Sequence, residues 1–228
     1  MSKYKCINKM KKSITFLFAT MMIFSVTSVN AQTIELNKEA KEEFEKKINQ
    51  LVDVFLTNLS IIGSKDINIT DSVKISYISS TLKMFLGGEK GVKGYYQKQG
   101  DREHEYYNDR NDEERIAPFM QVTNLRGYTS NIPIRRYLNN LKGLGYNKVI
   151  IKQAETCYVS DLFVVGDHYE AIATYFQYFR GERGDGFVYQ DYTKKTIQII
   201  VYVEEVLGKN MYVVRFGNIL ANETRPVN

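Results

Sequence analysis

The sequence predicts an α+β domain: N-terminal helices packed in the concave face of a strongly curved antiparallel sheet, a cone-shaped roll. Three observations lead there. Apolar residues recur at steps of three and four between residues 38 and 86, which is the spacing of amphipathic helices. From residue 147 onward, long strand-like runs alternate with turn signals. Those connections are too short for parallel crossovers, so the runs predict an antiparallel meander.

The chain opens with a segment outside this domain. Lys3, Lys5, Lys9, Lys11 and Lys12 precede an apolar run from Ile14 to Val26, which closes on Val29-Asn30-Ala31. This is the pattern of a signal peptide over residues 1–31, cleaved between Ala31 and Gln32. The expectation is an exported protein, periplasmic or extracellular, with one domain over 32–224 and a short tail over 225–228.

Within the domain, residues 38–62 predict a helix. Asn37 serves as its N-cap, Gly63 as its end, and Ala40, Phe44, Ile48, Leu51, Val52, Phe55, Leu56 and Leu59 as its apolar face. A second helix is expected over 72–86, capped by Thr70 or Asp71 and stopped by Gly87-Gly88. Residues 88–117 are dense in mixed charge and poor in aliphatic side chains, so they predict an exposed loop. A strand is expected around Met120-Gln121-Val122. Ser130 or Asn131 is expected to open a third helix with Pro133 in its first turn and Gly143 and Gly145 at its end.

Strands are expected at 147–159, 168–180, 187–206 and 210–220, with turns at 161–166, 181–186 and 208–210. Fully extended at ~3.3 Å per residue, the 187–206 strand would span ~65 Å. A domain of this size has a radius of gyration of only ~16 Å. The strand must bend, and the polar run Tyr192-Thr193-Lys194-Lys195 is the expected bulge.

Charge and cysteine counts exclude several classes. The full chain is +5, but removing the five lysines of the first segment leaves 26 basic and 26 acidic residues. A nucleic-acid partner, which needs a surplus of cations facing phosphates, loses its support. Cys6 leaves with the segment, and Cys157 alone cannot make an internal disulfide or a thiolate zinc site. No second apolar stretch approaches the ~20 residues of a membrane span. No cofactor motif is present, since Gly87-Gly88…Gly91…Gly94 follows a helix rather than the strand that a phosphate cradle needs.

The helix at Lys38–Ile62, IRRYLNNLKGLGY (134–146), YEAIATYFQYF (169–179) and VYQDYTKKTIQIIVYV (188–203) together resemble the nuclear-transport-factor-like fold, also called cystatin-like or SnoaL-like. The resemblance spans roughly Leu36 to Thr224 and extends to small secreted bacterial proteins that carry such a domain. It implies a cone between helices and sheet. Enzymes of the fold place acid/base residues inside the cone, and non-enzymatic members use the cone or the outer sheet face for binding.

Among residues that could carry chemistry, Tyr175 and Gln177 share one strand face with Ala171 and Ala173, whose small side chains leave room. Tyr189 and Asp191 share a face of the next strand. Together these four form the candidate ligand site, a polar set in an aromatic-lined hollow. Cross-strand Tyr pairing explains the same residues structurally. Asp167-His168 is the only Asp/His neighbour pair, but adjacent strand residues point to opposite faces, so a base and its orienting carboxylate are not expected there. The acidic residues of 101–114 are interleaved with Arg102, Arg110 and Arg115 and lack a calcium-loop motif, so no metal site is expected. Arg183-Gly184-Asp185 sits at an expected hairpin tip and reads as a turn.

The function expected is an exported non-enzymatic module binding a protein or a small molecule. The sheet face offers a homodimer surface. The alternative is a cone-pocket isomerase, dehydratase or hydrolase with a carboxylate base such as Asp191.

Overall fold

Two of the three described helices form where apolar spacing meets a capping side chain, and the long strands form where apolar and polar residues alternate. The computed structural model describes residues 33–65, 69–92, 106–108, 114–123, 128–207 and 209–227. In chain order the elements are β1 (Thr33–Ile34), α1 (Lys38–Gly63), α2 (Asp71–Leu82), β2 (Tyr106–Asn108), β3 (Glu114–Ile116), β4 (Phe119–Thr123), β5 (Thr129–Pro133), α3 (Ile134–Lys142), β6 (Lys148–Gln153), β7 (Tyr158–Val159), β8 (Leu162–Val165), β9 (His168–Glu182), β10 (Val188–Val206) and β11 (Lys209–Pro226). The segment expected to be a signal peptide, with Ala31 and Gln32, lies outside the described residues. No helix among them is long and apolar enough to cross a membrane.

Asn37 caps α1 as expected, its Oδ1 accepting from the Ala40 amide at 2.8 Å. Ile48, Val52, Phe55, Leu56, Leu59 and Ile62 are fully buried along one face. Two serines then bind the helix to β6. Ser60 Oγ accepts from the Ile151 amide at 2.7 Å, and Ser64 Oγ from the Val149 amide at 2.9 Å. Gly63 is held by packing, because a Cβ there would sit 3.2 Å from Leu141 Cδ1 and Val149 Cγ1.

Helix α2 is capped by Thr70 but ends at Leu82, four residues before the expected stop. Strand β11 takes the backbone that would have continued the helix. Phe216 N donates to Met84 O and Leu86 N to Phe216 O, both at 2.8 Å. That join seats Phe85 beside Phe55 and Phe216 in three edge-to-face contacts, with ring centroids 5.6 to 5.8 Å apart.

The third helix also starts later than expected. Ser130 and Asn131 belong to β5, which pairs antiparallel with β4, and α3 begins at Ile134 without a side-chain cap. Pairing with β4 outweighs the capping preference of those two residues. Ile134, Leu138 and Leu141 are buried, as expected. The 88–117 segment is not wholly loop, since β2 and β3 pair antiparallel within it.

The main sheet has nine strands among the described residues, in the order β1-β8-β9-β10-β11-β4-β5, with β6 and β7 also on β9. One edge of β9 takes β8, β7 and β6 in succession, and its other edge takes β10. The expected turn at 161–166 contains β8, and the run expected over 147–159 divides into β6 and β7. The sheet is mixed, not antiparallel throughout, because β4 meets β11 in parallel through Met120 and Ile219. Short connections constrain only consecutive strands, and β4 comes from earlier in the chain.

The bend expected at Tyr192–Lys195 corresponds to a register shift at Lys194/Lys195, and a second lies at Ile197/Ile199. In both the extra residue is on β11, so β10 keeps unbroken register with β9 from Val188 to Val201. At the second, the Gln198 side chain fills the gap. It accepts from the Asn218 amide at 3.3 Å, while Asn218 Oδ1 accepts from the Phe119 amide of β4 at 3.1 Å. Strand β11 continues to Pro226, so the first two residues of the expected tail, Arg225 and Pro226, are strand.

A buried polar row as the candidate functional site

The register of β9 against β10 places Tyr175 opposite Lys195, Gln177 opposite Thr193, Phe179 opposite Asp191 and Gly181 opposite Tyr189. Alternation then turns all odd-numbered residues toward one face. Toward the middle of the sheet that face is apolar, with Ala171, Ala173, Ile197 and Ile199 fully buried. Toward the β9–β10 hairpin it becomes polar. Tyr175, Gln177, Asp191, Thr193 and Lys195 are all buried, Asp191 the least at 9% exposed. The row continues onto β6, where Gln153 pairs with Gln177.

The four expected site residues therefore share one face, and three of them are buried; Tyr189 is half-buried. Asp191 accepts from Thr193 Oγ1 at 3.3 Å. Thr193 is in turn 3.1 Å from Thr224 Oγ1 on β11. Burial raises the Asp191 carboxyl above the ordinary carboxylate range, and its Tyr189 and Thr193 neighbours and the Lys195 charge pull the other way.

Lys195, assigned by sequence to the bend, lies in the interior at 3% exposed. Its Nζ donates to Gln121 O at 3.3 Å and contacts Met120 Sδ at 3.5 Å. Burial lowers its amine to about 8, with Asp191 opposing. Four residues along a strand put their Cα atoms ~13 Å apart, and no ion pair joins the two side chains among the described residues, so they act on each other through the field. Tyr137 of α3 completes the surroundings. Its hydroxyl is raised first by burial and then by the Asp191 charge. Tyr175 is raised by burial, then by Tyr137 and Cys157.

Buried side-chain atoms without a hydrogen-bond partner are the second mark of this face. The described residues contain four: Gln153 Oε1, Gln177 Oε1, Tyr175 Oη and Tyr212 Oη. The first three belong to adjacent positions on one face, since Gln153 and Gln177 are cross-strand partners and Tyr175 is two residues along β9. Unsatisfied buried groups of this kind cost ~1–3 kcal/mol each and call for a partner such as a bound molecule or water. Sequence pattern pointed to Tyr175 and Gln177 but not to Gln153, Thr193, Lys195 or Tyr137, because only the register and the helix docking bring those four in.

The chain matches no family model, no curated protein and no solved structure. Its chemistry is therefore legible only from its own side chains.

Other sequence features resolve structurally. Asp167 and His168 do not diverge: Nδ1 lies 3.3 Å from Asp167 Oδ1. Asp167 sits in the turn beside Gly166 at φ +60°, where strand alternation does not apply. The His168 ring also meets Glu170 Oε1 at 3.0 Å, and Glu170 Oε2 accepts from Gln198 at 2.9 Å. The pair thus belongs to the polar chain that runs toward the β11 bulge. Cys157 is buried with its thiol pushed up to about 12, chiefly by desolvation, which is a structural thiol. Arg183 stacks over the Tyr146 and Phe187 rings, 5.5 and 4.9 Å from their centroids, and Asp185 Oδ1 accepts from the Phe187 amide at 3.0 Å. Both charged ends of that tripeptide are used inside its own hairpin. No group of three or more metal-ligating residues occurs among the described residues.

Proposed function

We propose that this protein is an exported, non-enzymatic binding module that holds a small polar molecule against the buried row of Gln153, Tyr175, Gln177, Asp191, Thr193 and Lys195. The nuclear-transport-factor-like cone is the architecture we infer for it, with the row on the cone's inner wall. One observation carries the reading: three partnerless polar atoms stand together beside two buried charges that do not neutralise each other at contact distance. A carboxylate, an amine, a phenol and two amides can between them donate and accept around a molecule with several polar groups.

Native mass spectrometry of the exported protein tests this. The expected result is a non-covalent adduct that disappears when Tyr175→Phe and Gln177→Leu are combined. Protein carrying no adduct, before and after incubation with concentrated growth medium, counts against the reading.

A second reading rests on Asp191 and Lys195 alone. Burial moves both toward their neutral forms, the arrangement by which enzymes pair an acid with a base. Asp191 would then be the base of an isomerase, dehydratase or hydrolase. Asp191→Asn that abolishes turnover of the adducted molecule while retaining its binding would favour this reading over simple binding.

A further inference from the structure

The even-numbered residues of the same strands build a different surface. Across the sheet, Lys152, Tyr178, Tyr192 and Arg225 are successive cross-strand partners, and so are Phe176, Lys194 and Glu223. Ala154 extends the second row, its amide donating to Phe176 O at 2.8 Å. An open groove of about 600 Å³ lies over these rows, lined by Ala154, Glu155, Phe176, Tyr192, Lys194, Glu223 and Arg225.

The bulge on β11 creates it. Lys194 pairs with Glu223 but Lys195 with Ala221, so Asn222 is the extra residue. The insertion reverses the alternation of β11 at that point. Leu220 and Asn222 face outward before it, and Glu223 and Arg225 face outward after it. Without Asn222, Glu223 and Arg225 would turn toward the buried row.

We infer that this groove is a binding site for a neutral polysaccharide chain, separate from the interior row and independent of it. Four observations converge. Phe176 and Tyr192 are 39% and 41% exposed, and an aromatic ring open to solvent can stack on the C–H face of a pyranose. The lining charges cancel, two acidic against two basic, so the surface does not select a charged ligand. Among the described residues, Glu155 and Lys194 make no ion pair or hydrogen bond through their side chains, which leaves a carboxylate and an ammonium for ligand hydroxyls. Finally, the strand backbones below are already paired on both sides, by β6 and β10 for β9 and by β9 and β11 for β10. An extended peptide gains its affinity mainly from such backbone groups and would find none free on β9 or β10. A sugar chain needs only side chains.

The test is titration of the ¹⁵N-labelled protein with cellohexaose, maltohexaose, xylohexaose and mannohexaose, read by NMR. At least one is expected to shift the amides of 154–155, 174–178, 190–196 and 222–225. Tyr192→Ala and Glu155→Gln, both at exposed positions, are each expected to weaken that binding at least tenfold with unchanged circular dichroism. Absence of shifts with all four sugars overturns the inference, and so does equal affinity in both variants. Concentration-dependent dimerisation that protects the same amides, or their occupation by a proline-rich peptide in place of any sugar, overturns it in favour of that occupant.

Discussion

Strands β9 and β10 present two faces made from alternate residues of the same chain, and the faces behave oppositely. The odd-numbered face buries Tyr175, Gln177, Asp191, Thr193 and Lys195, whereas the even-numbered face exposes Ile172, Phe176 and Tyr192. Polar groups are inside and large apolar groups outside, the reverse of what a half-buried sheet ordinarily does. The inversion is local. From two residues beyond Lys195 on β10, Ile197, Ile199 and Val201 are buried in the ordinary way. Stability thus resides in the middle of the sheet, and the end near the β9–β10 hairpin departs from that pattern on both faces. Departures of this kind mark functional regions more often than structural ones.

The sharpest way to break this contrast is to truncate its ordinary half. Ile197 is fully buried in the main core, so Ile197→Ala should cost ~2–5 kcal/mol, read as a lowered urea midpoint. A cost no greater than that of an exposed substitution would mean that the apolar half is not the stabilising one.

The next effect belongs to Lys195. Its amine is lowered to about 8 in the folded protein, against an ordinary lysine near ~10.4. The folded state therefore holds fewer protons than the unfolded chain between those values, so stability rises with pH across that window. It is lost again as pH falls through the folded value. The rise is of order 3 kcal/mol, with tyrosine ionisation opposing it above pH ~10, because the raised hydroxyls of Tyr137 and Tyr175 favour the folded state only while protonated. Lys195→Met should flatten the pH 8–10 slope and stabilise the protein at pH 7. An unchanged slope would show that the amine is hydrated rather than buried.

A smaller effect is expected at Gly181. A Cβ there would lie 2.7 Å from the Tyr146 ring, so Gly181→Ala should cost ~1–3 kcal/mol and displace Tyr146 from beneath Arg183. The smallest belongs to the outer face, where Tyr192→Ala should change stability by less than ~1 kcal/mol. A large loss there would make the outer aromatics structural rather than functional.

Much of this architecture was legible in the chain. Asn37 and Thr70 announced two helix starts, and the apolar spacing of Ile48 to Leu59 announced the buried face of α1. The strand-like runs between turn signals from residue 147 onward announced the sheet. What was not legible involved partners distant in sequence. The α2 helix stops early because Phe216 claims Met84 and Leu86, and Ser130 and Asn131 form a strand because β4 lies beside them. Lys195 looked like a solvent-exposed bend residue until its register opposite Tyr175 placed it inside.

By itself the sequence determined the pieces with local causes: caps, periodicities, the long strands and the shared face of Tyr175 with Gln177 and of Tyr189 with Asp191. Tertiary structure alone decided which face of those strands is interior, that Gln153 and Lys195 join the row, and that one extra residue, Asn222, turns Glu223 and Arg225 outward. The physical reason is that alternation assigns residues to faces only relative to one another. Which face loses its water depends on what packs against it, and that is decided by contacts across the whole chain.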